Sequence, residues 1–213
     1  MVTKTVDYSD AELTYEGYLA LPGDAAPIGL VVVGHAWGGQ SDHERDVCDR
    51  LSQMGYAAFA YDIYGKGNRA SDPAECEALM NPLVGDRAKL QSRLALSIAT
   101  AQKETGIGAD KTVGIGYCFG GGVVLDAARR GEPLDAVVSF HGALNTKTPA
   151  REGVTKTPML IEHGNGDTMV TAQNVADFKK EMDAAKADYK FVGIDGAKHG
   201  FTNPDADKLS HGD

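Results

Sequence analysis

Val113-Gly114-Ile115-Gly116-Tyr117-Cys118-Phe119-Gly120-Gly121-Gly122 is the stretch that decides the fold. A short apolar run leads into a thiol closely flanked by glycines, and a helical pattern continues from Val123 to Ala128. Strand, sharp turn and helix in that order make a nucleophile elbow, with cysteine where serine is commoner. Such a turn lifts the side chain clear of the sheet and aims the first N–H groups of the helix at a reacting atom. Gly116 and Gly120 are expected because a Cβ at either place would crowd the backbone. The helix N-terminus also favours thiolate over thiol. A lone cysteine is more often inert packing, so the rest of the chain has to decide.

Two partners follow in order. Asp167 comes after the apolar run Met159-Leu160-Ile161 and the turn Glu162-His163-Gly164-Asn165-Gly166. That places it on a loop beyond a buried strand. His199, in Gly196-Ala197-Lys198-His199-Gly200-Phe201, follows the strand-like segment from Tyr189 to Ile194. Taken singly, Asp167 reads as an Asx-turn or helix cap, and a loop histidine as merely exposed. Together they complete a chemistry. A thiol needs a base to lose its proton, which His199 can supply. An imidazole needs an acceptor on its other nitrogen, which Asp167 can supply. Nucleophile, acid and histidine is also the chain order of the α/β-hydrolases. Each of the three falls after a strand, where a parallel sheet displays its ligand-facing residues.

The chain resembles the dienelactone hydrolase family, the cysteine branch of the α/β-hydrolases. Gly116-Tyr117-Cys118-Phe119-Gly120-Gly121 matches the family's G-x-C-x-G-G elbow. The turn ending in Asp167 matches its acid loop, and His199-Gly200-Phe201 its histidine loop. The stretch from Val31 through Gly39, Leu51, Gly55-Tyr56 and Asp62 to Tyr64-Gly65 also matches, so the likeness runs from about Ala20 onward. The resemblance implies a carboxylic-ester or lactone hydrolase, carboxymethylenebutenolidase-type, that forms a thioester on Cys118 and needs no cofactor. One position departs. Many family members carry a glutamate after the second strand, in a segment resembling His-Glu-Trp-Trp-Gly. Here Gly34-His35-Ala36-Trp37-Gly38-Gly39 puts Ala36 in its place. That glutamate is held to help activate the thiol, so activation here is expected to rest on His199 or on another carboxylate that the sequence does not single out.

The same loop is expected to complete an oxyanion hole. Two N–H donors must point where the tetrahedral oxygen forms. Phe119, the residue after the nucleophile, and Trp37, in the loop after the second strand, are the candidates. Tyr64-Gly65-Lys66-Gly67-Asn68-Arg69-Ala70-Ser71-Asp72-Pro73 reads as a loop near the mouth of the site. Arg69 or Arg87 could grip a substrate carboxylate as a forked donor, and Tyr64, Tyr117 and Phe119 could form an apolar acyl wall. His141, at the end of the segment Ala136 to Phe140, could reach the rim.

Composition sets bounds. At 213 residues, 42% apolar and 24% charged, the chain reads as one soluble α/β domain spanning residues 1–213. A net charge of -9 argues against nucleic acid, which wants a basic face. No segment approaches the length of a membrane span. The start, Met1 to Asp7, has no apolar run of the kind a secretory signal carries. Three irregularly spaced cysteines, Cys48, Cys76 and Cys118, do not form a disulfide framework and fit a reducing cytoplasm. Cys48 reads as packing and Cys76 as a bystander in a polar loop. The six histidines show no zinc-type spacing. His35 and His163 read as hydrogen-bonded structural residues at strand ends.

The expected order is an antiparallel hairpin (Val2 to Tyr8 with Leu13 to Leu21), then strands and helices in alternation. Strands are expected at 30–33, 57–61, 113–116, 136–140, 159–161 and 189–194. Helices are expected over Val47, Leu51 and Met54; as one long helix over Leu83, Arg87, Leu90, Leu94 and Ile98; behind the elbow; and over Val175, Phe178 and Met182. Such alternation means a mostly parallel sheet with helices on both faces, the α/β-hydrolase fold. Gly200 to Asp213 is polar, contains Pro204 and Gly212, and shows no apolar period for the closing helix the family adds there. A monomer or homodimer acting on a small-molecule ester or lactone is the expectation. A non-catalytic ligand receptor and a thiol redox sensor stay open as other classes.

Overall fold

A computed structural model of the chain describes residues 1–203 and Ala206. Eight strands form one sheet in the order β1-β2-β4-β3-β5-β6-β7-β8. The chain divides into two compact units, Met1–Gly114 and Ile115–Asp213.

In the first unit, β1 (Val2–Ser9) and β2 (Thr14–Leu21) pair antiparallel over their whole length, and β2 pairs antiparallel with β4 (Ala57–Ala60). Asp10 closes the hairpin by accepting the N–H groups of Glu12 and Leu13, the local bond that makes aspartate a turn residue. β3 (Leu30–Gly34) lies parallel to β4 and is buried at every position, as a strand covered on both faces must be. α1 (Asp42–Gln53) starts with a capping box, Ser41 and Glu44 satisfying each other's backbone N–H groups.

Three expectations change here. Met54 caps α1 and is exposed, so the buried stripe ends before it. The long helix expected across Leu83 and Ile98 is two helices, α2 (Pro73–Gly85) and α3 (Arg87–Thr105). Asp86 breaks them apart by leaving helical geometry and capping α3 through the Lys89 N–H. Cys76 is therefore not a loop thiol. Asp72 as N-cap and Pro73 at the first position start α2 ahead of it, and the residue is buried.

The second unit begins within β5 (Thr112–Tyr117) and continues through α4 (Phe119–Arg130), β6 (Ala136–Phe140), β7 (Met159–Gly164), α5 (Ala172–Ala184) and β8 (Tyr189–Ile194). β6, β7 and β8 are parallel and in register, Val138 beside Leu160 and Leu160 beside Lys190. Val137, Ser139, Met159, Ile161 and His163 are buried, whereas the alternate residues Val138, Phe140, Leu160, Val192 and Ile194 are half-buried. The expected absence of a closing helix concerns a segment that lies mostly outside the described residues.

Arg129 anchors α4. Its guanidinium is fully buried and bonds Asp126 at 3.0 Å, both carboxylate oxygens of Glu181 at 2.8 and 3.0 Å, and the Leu144 carbonyl at 2.7 Å. It also lies over the Phe178 ring, 5.4 Å from the centroid. One side chain thus ties α4, α5 and the segment after β6 together. Arg129→Ala takes the shared cation from buried Asp126 and half-buried Glu181, so a loss of about 3–5 kcal/mol is expected. Urea denaturation checks it. A loss below about 1 kcal/mol would mean that these charges behave like exposed pairs.

Candidate active site

β5 delivers the chain to Cys118, whose backbone sits at φ 51°, ψ -112°, a region that non-glycine residues rarely occupy. Holding it costs of order 1–3 kcal/mol, which the surroundings must offset. The Cys118 N–H donates to the Phe140 carbonyl at 3.0 Å, and the Gly122 N–H to the Cys118 carbonyl at 3.2 Å. Gly116 is glycine because a Cβ there would fall 2.2 Å from the Gly120 carbonyl oxygen. A Cβ on Gly121 would fall 2.7 Å from Ser139 Oγ and 2.8 Å from Gly142 Cα, so α4 begins tight against the end of β6. Cys118 itself is half-buried, unlike the buried thiols Cys48 and Cys76.

β7 ends in the acid loop. The Asp167 N–H donates to the Gly164 carbonyl at 3.0 Å, and the Gly166 N–H to the Ala197 carbonyl at 2.8 Å. A Cβ on Gly164 would lie 2.5 Å from that same Ala197 oxygen, so the acid and histidine loops cross with no room for a side chain. Asp167 serves two purposes at once. Its Oδ1 accepts the Met169 and Val170 N–H groups at 2.8 and 2.9 Å, and its Oδ2 meets His199 Nδ1 at 2.8 Å. His199 Nε2 lies 3.2 Å from Cys118 Sγ. The three side chains that the sequence singles out stand in one hydrogen-bonded line.

Asp167 burial acts to raise its carboxyl, but the bond from His199 and the two backbone N–H groups outweigh it and hold it below the usual carboxylate range. An ionised carboxylate only accepts, so Nδ1 carries a proton. Burial would lower His199, yet the bonds to Asp167 and Cys118 prevail and push it to about 10.

Tyr117 is buried and stacks on Phe140 at 5.1 Å, and Phe119 opens α4. Trp37, Tyr64, Arg69 and Arg87 belong to the first unit. The Tyr64 hydroxyl donates to the Trp37 carbonyl at 3.0 Å, which shapes the loop after β3. Arg69 lies 3.6 Å from buried Asp62, so its charge is already partly answered. Arg87 starts α3 and is half-buried.

His35 behaves as expected, bonded to the Ala36 carbonyl at 2.7 Å. His163 does not: it is buried, but its Nδ1 has no hydrogen-bond partner among the described residues. His141, given only a rim position by its place after a strand, packs directly on His199 with ring centroids 5.1 Å apart. No spacing rule signals this, because the two residues meet only through the fold. Among the described residues, no group of three His, Cys, Asp or Glu is gathered to hold a metal ion.

The dienelactone hydrolase family model matches residues 15–211. The chain belongs to the dienelactone hydrolase family. Protein usf of Aquifex pyrophilus is 28% identical over 202 residues, covering 93% of this chain and 86% of the relative. A dienelactone hydrolase-like promiscuous phosphotriesterase from metagenomic libraries shares 29% identity at a TM-score of 0.89, covering 98% of this chain and 87% of that one. The dienelactone hydrolase of Anabaena variabilis shares 26% identity at a TM-score of 0.72, covering 96% and 90%. This dienelactone hydrolase family member is a hydrolase with the family's mostly parallel sheet and N-terminal hairpin. No helix among its described residues is long and apolar enough to cross a membrane.

The shifts fix a sign for stability. His199, raised above its ordinary 6.5, contributes stability fully below that pH and loses it as pH rises through about 10. Asp167, lowered from 3.8, contributes above that value and loses it as pH falls through its lowered midpoint. The stability gap between the native chain and Asp167→Asn is therefore expected to be widest between 3.8 and 6.5 and to narrow on both sides. Denaturant titrations across pH check this. A gap independent of pH would mean that the pair is not ionised.

Proposed function

We propose that this dienelactone hydrolase family member cleaves carboxylic esters or lactones through a Cys-His-Asp triad and a thioester intermediate. One observation carries the reading: a strained elbow thiol lies 3.2 Å from an imidazole whose other nitrogen is 2.8 Å from a carboxylate. His199 Nε2 takes the thiol proton, and the sulfur electron pair forms a bond to the acyl carbon. The carbonyl pair moves onto oxygen, where the Phe119 and Trp37 N–H groups are proposed as donors. Collapse breaks the C–O bond, and the alkoxide leaves with the proton from His199. Water then gives a proton to His199 and attacks the thioester, and the C–S bond breaks to restore the thiolate.

With Ala36 in place of the family glutamate, His199 alone activates the thiol. That weakens the case for a dienelactone in particular and leaves thiol ester hydrolysis untouched. Thiolate is a better leaving group than amine, so an amide intermediate would return to substrate, and peptidase activity is not expected. Tyr64, Arg69, Arg87 and Tyr117 are proposed as substrate contacts, Arg69 the weakest because of Asp62. No cofactor enters this chemistry. The protein is proposed to act in the reducing cytoplasm, where a nucleophilic thiol survives, as a monomer or homodimer.

Cys118→Ala is expected to lower kcat/KM on a chromogenic ester by about 10³-fold or more. Mass spectrometry of the native chain with the same ester should trap an acyl adduct on Cys118. Full activity in the variant would sink the reading. Oxidation of Cys118 without turnover would favour a redox sensor. A panel of lactones and esters, with one phosphotriester because of the similar phosphotriesterase, would order the substrates.

A further inference from the structure

His141 holds a costly backbone. It ends β6 at φ 41°, in the left-handed region that suits glycine, while its N–H is fixed on the Glu162 carbonyl at 2.8 Å. The next residue is forced as well. A Cβ on Gly142 would fall 2.3 Å from Ser139 Oγ and 2.8 Å from the Gly121 backbone. β6 therefore ends in a second sharp corner, pressed against the helix that carries the nucleophile. The corner throws the His141 ring inward, where it is 4% exposed.

The ring meets one loop three times. It stands edge-on to His199 at 5.1 Å and edge-on to Phe201 at 5.3 Å, and its Nε2 lies 2.8 Å from Thr202 Oγ1. The start of the histidine loop is tied to the acid loop, where the Gly166 N–H donates to the Ala197 carbonyl at 2.8 Å. Residues 199–202 lie in turns rather than in a helix or strand, with the Asn203 N–H donating to the Gly200 carbonyl at 2.8 Å. A shift of the 199–202 turn would carry the imidazole off the line between Cys118 and Asp167. A drift of about 1 Å is enough to cost about 10²-fold in rate.

We propose that His141 is a positioning residue, which clamps the 199–202 loop so that the His199 ring stays between Cys118 Sγ and Asp167. It touches no reacting atom and acts through His199. The turnover arm of the test rests on the acyl-transfer reading, whereas the thiol-reactivity arm does not.

Three variants separate the contacts: His141→Ala loses ring and bond, His141→Phe keeps a ring without the bond, and Thr202→Val removes the bond from the other side. Iodoacetamide alkylation of Cys118 at pH 7 reads the thiol–imidazole contact directly, since Cys48 and Cys76 are buried. Alkylation is expected to slow by about tenfold in His141→Ala and by about threefold in each of the other two. On an ester, kcat should fall by about the same factors with KM changed by less than about twofold. A merely structural role would lower the melting temperature and leave alkylation below that temperature unchanged, and that result overturns the proposal. Should His141→Ala fail to fold, an unchanged rate in Thr202→Val overturns it instead. If the native chain turns over no ester, the acyl-transfer reading fails, and alkylation still decides the role of His141.

Discussion

The close passage of Gly116 under the first turn of α4 is the constraint on which the site depends. Only a residue without a Cβ lets the Gly120 carbonyl come this near. That approach allows β5 to turn directly into α4 and leaves Cys118 in a conformation it would not choose alone. The strain is not relieved by the thiol; it is offset by the hydrogen bonds on either side of it and by a helix buried along nearly its whole length. The same economy of volume repeats at Gly121 against Gly142 and at Gly164 against Ala197. Three loops can converge on one sulfur because three backbones approach where side chains would have kept them apart.

Convergence also explains the electrostatics. Asp167 is both turn residue and acceptor, so the bonds that shape its loop add to the His199 bond in keeping it ionised. A carboxylate fixed in this way holds the Nδ1 proton of His199 and turns Nε2 toward the thiol. The local and the functional roles of Asp167 use the two oxygens of one carboxylate, so choosing between them sets up a false contrast.

Much of this was legible in the sequence wherever the signal is local. Alternation gives the hairpin, continuous apolar runs give β3 and β7, and glycine spacing with chain order gives Cys118, Asp167 and His199. The signal failed where a local pattern continues through a structural break. Leu83 and Leu90 share a stripe that hides the stop at Asp86, and the polar residues around Cys76 mask a helix that Asp72 and Pro73 begin. His141 could be read only as a rim residue, not as a partner of His199. Its left-handed backbone and its contact with a loop 58 to 61 residues away exist only in the folded chain.

The raised affinity of His199 for its proton raises a difficulty for acyl transfer, since an imidazolium held to about pH 10 is a poor base for water. The causes of the shift resolve it. Burial opposes the charge, and part of what overcomes burial comes from Cys118, through its bond and its charge. Acylation would remove both, because a thioester sulfur carries no charge and accepts hydrogen bonds weakly. What then remains is burial against Asp167 alone, a weaker hold on the proton. On the proposed pathway His199 is thus a proton holder while the thiolate is free and a base once the thiolate is spent, and the change is driven by the covalent step itself.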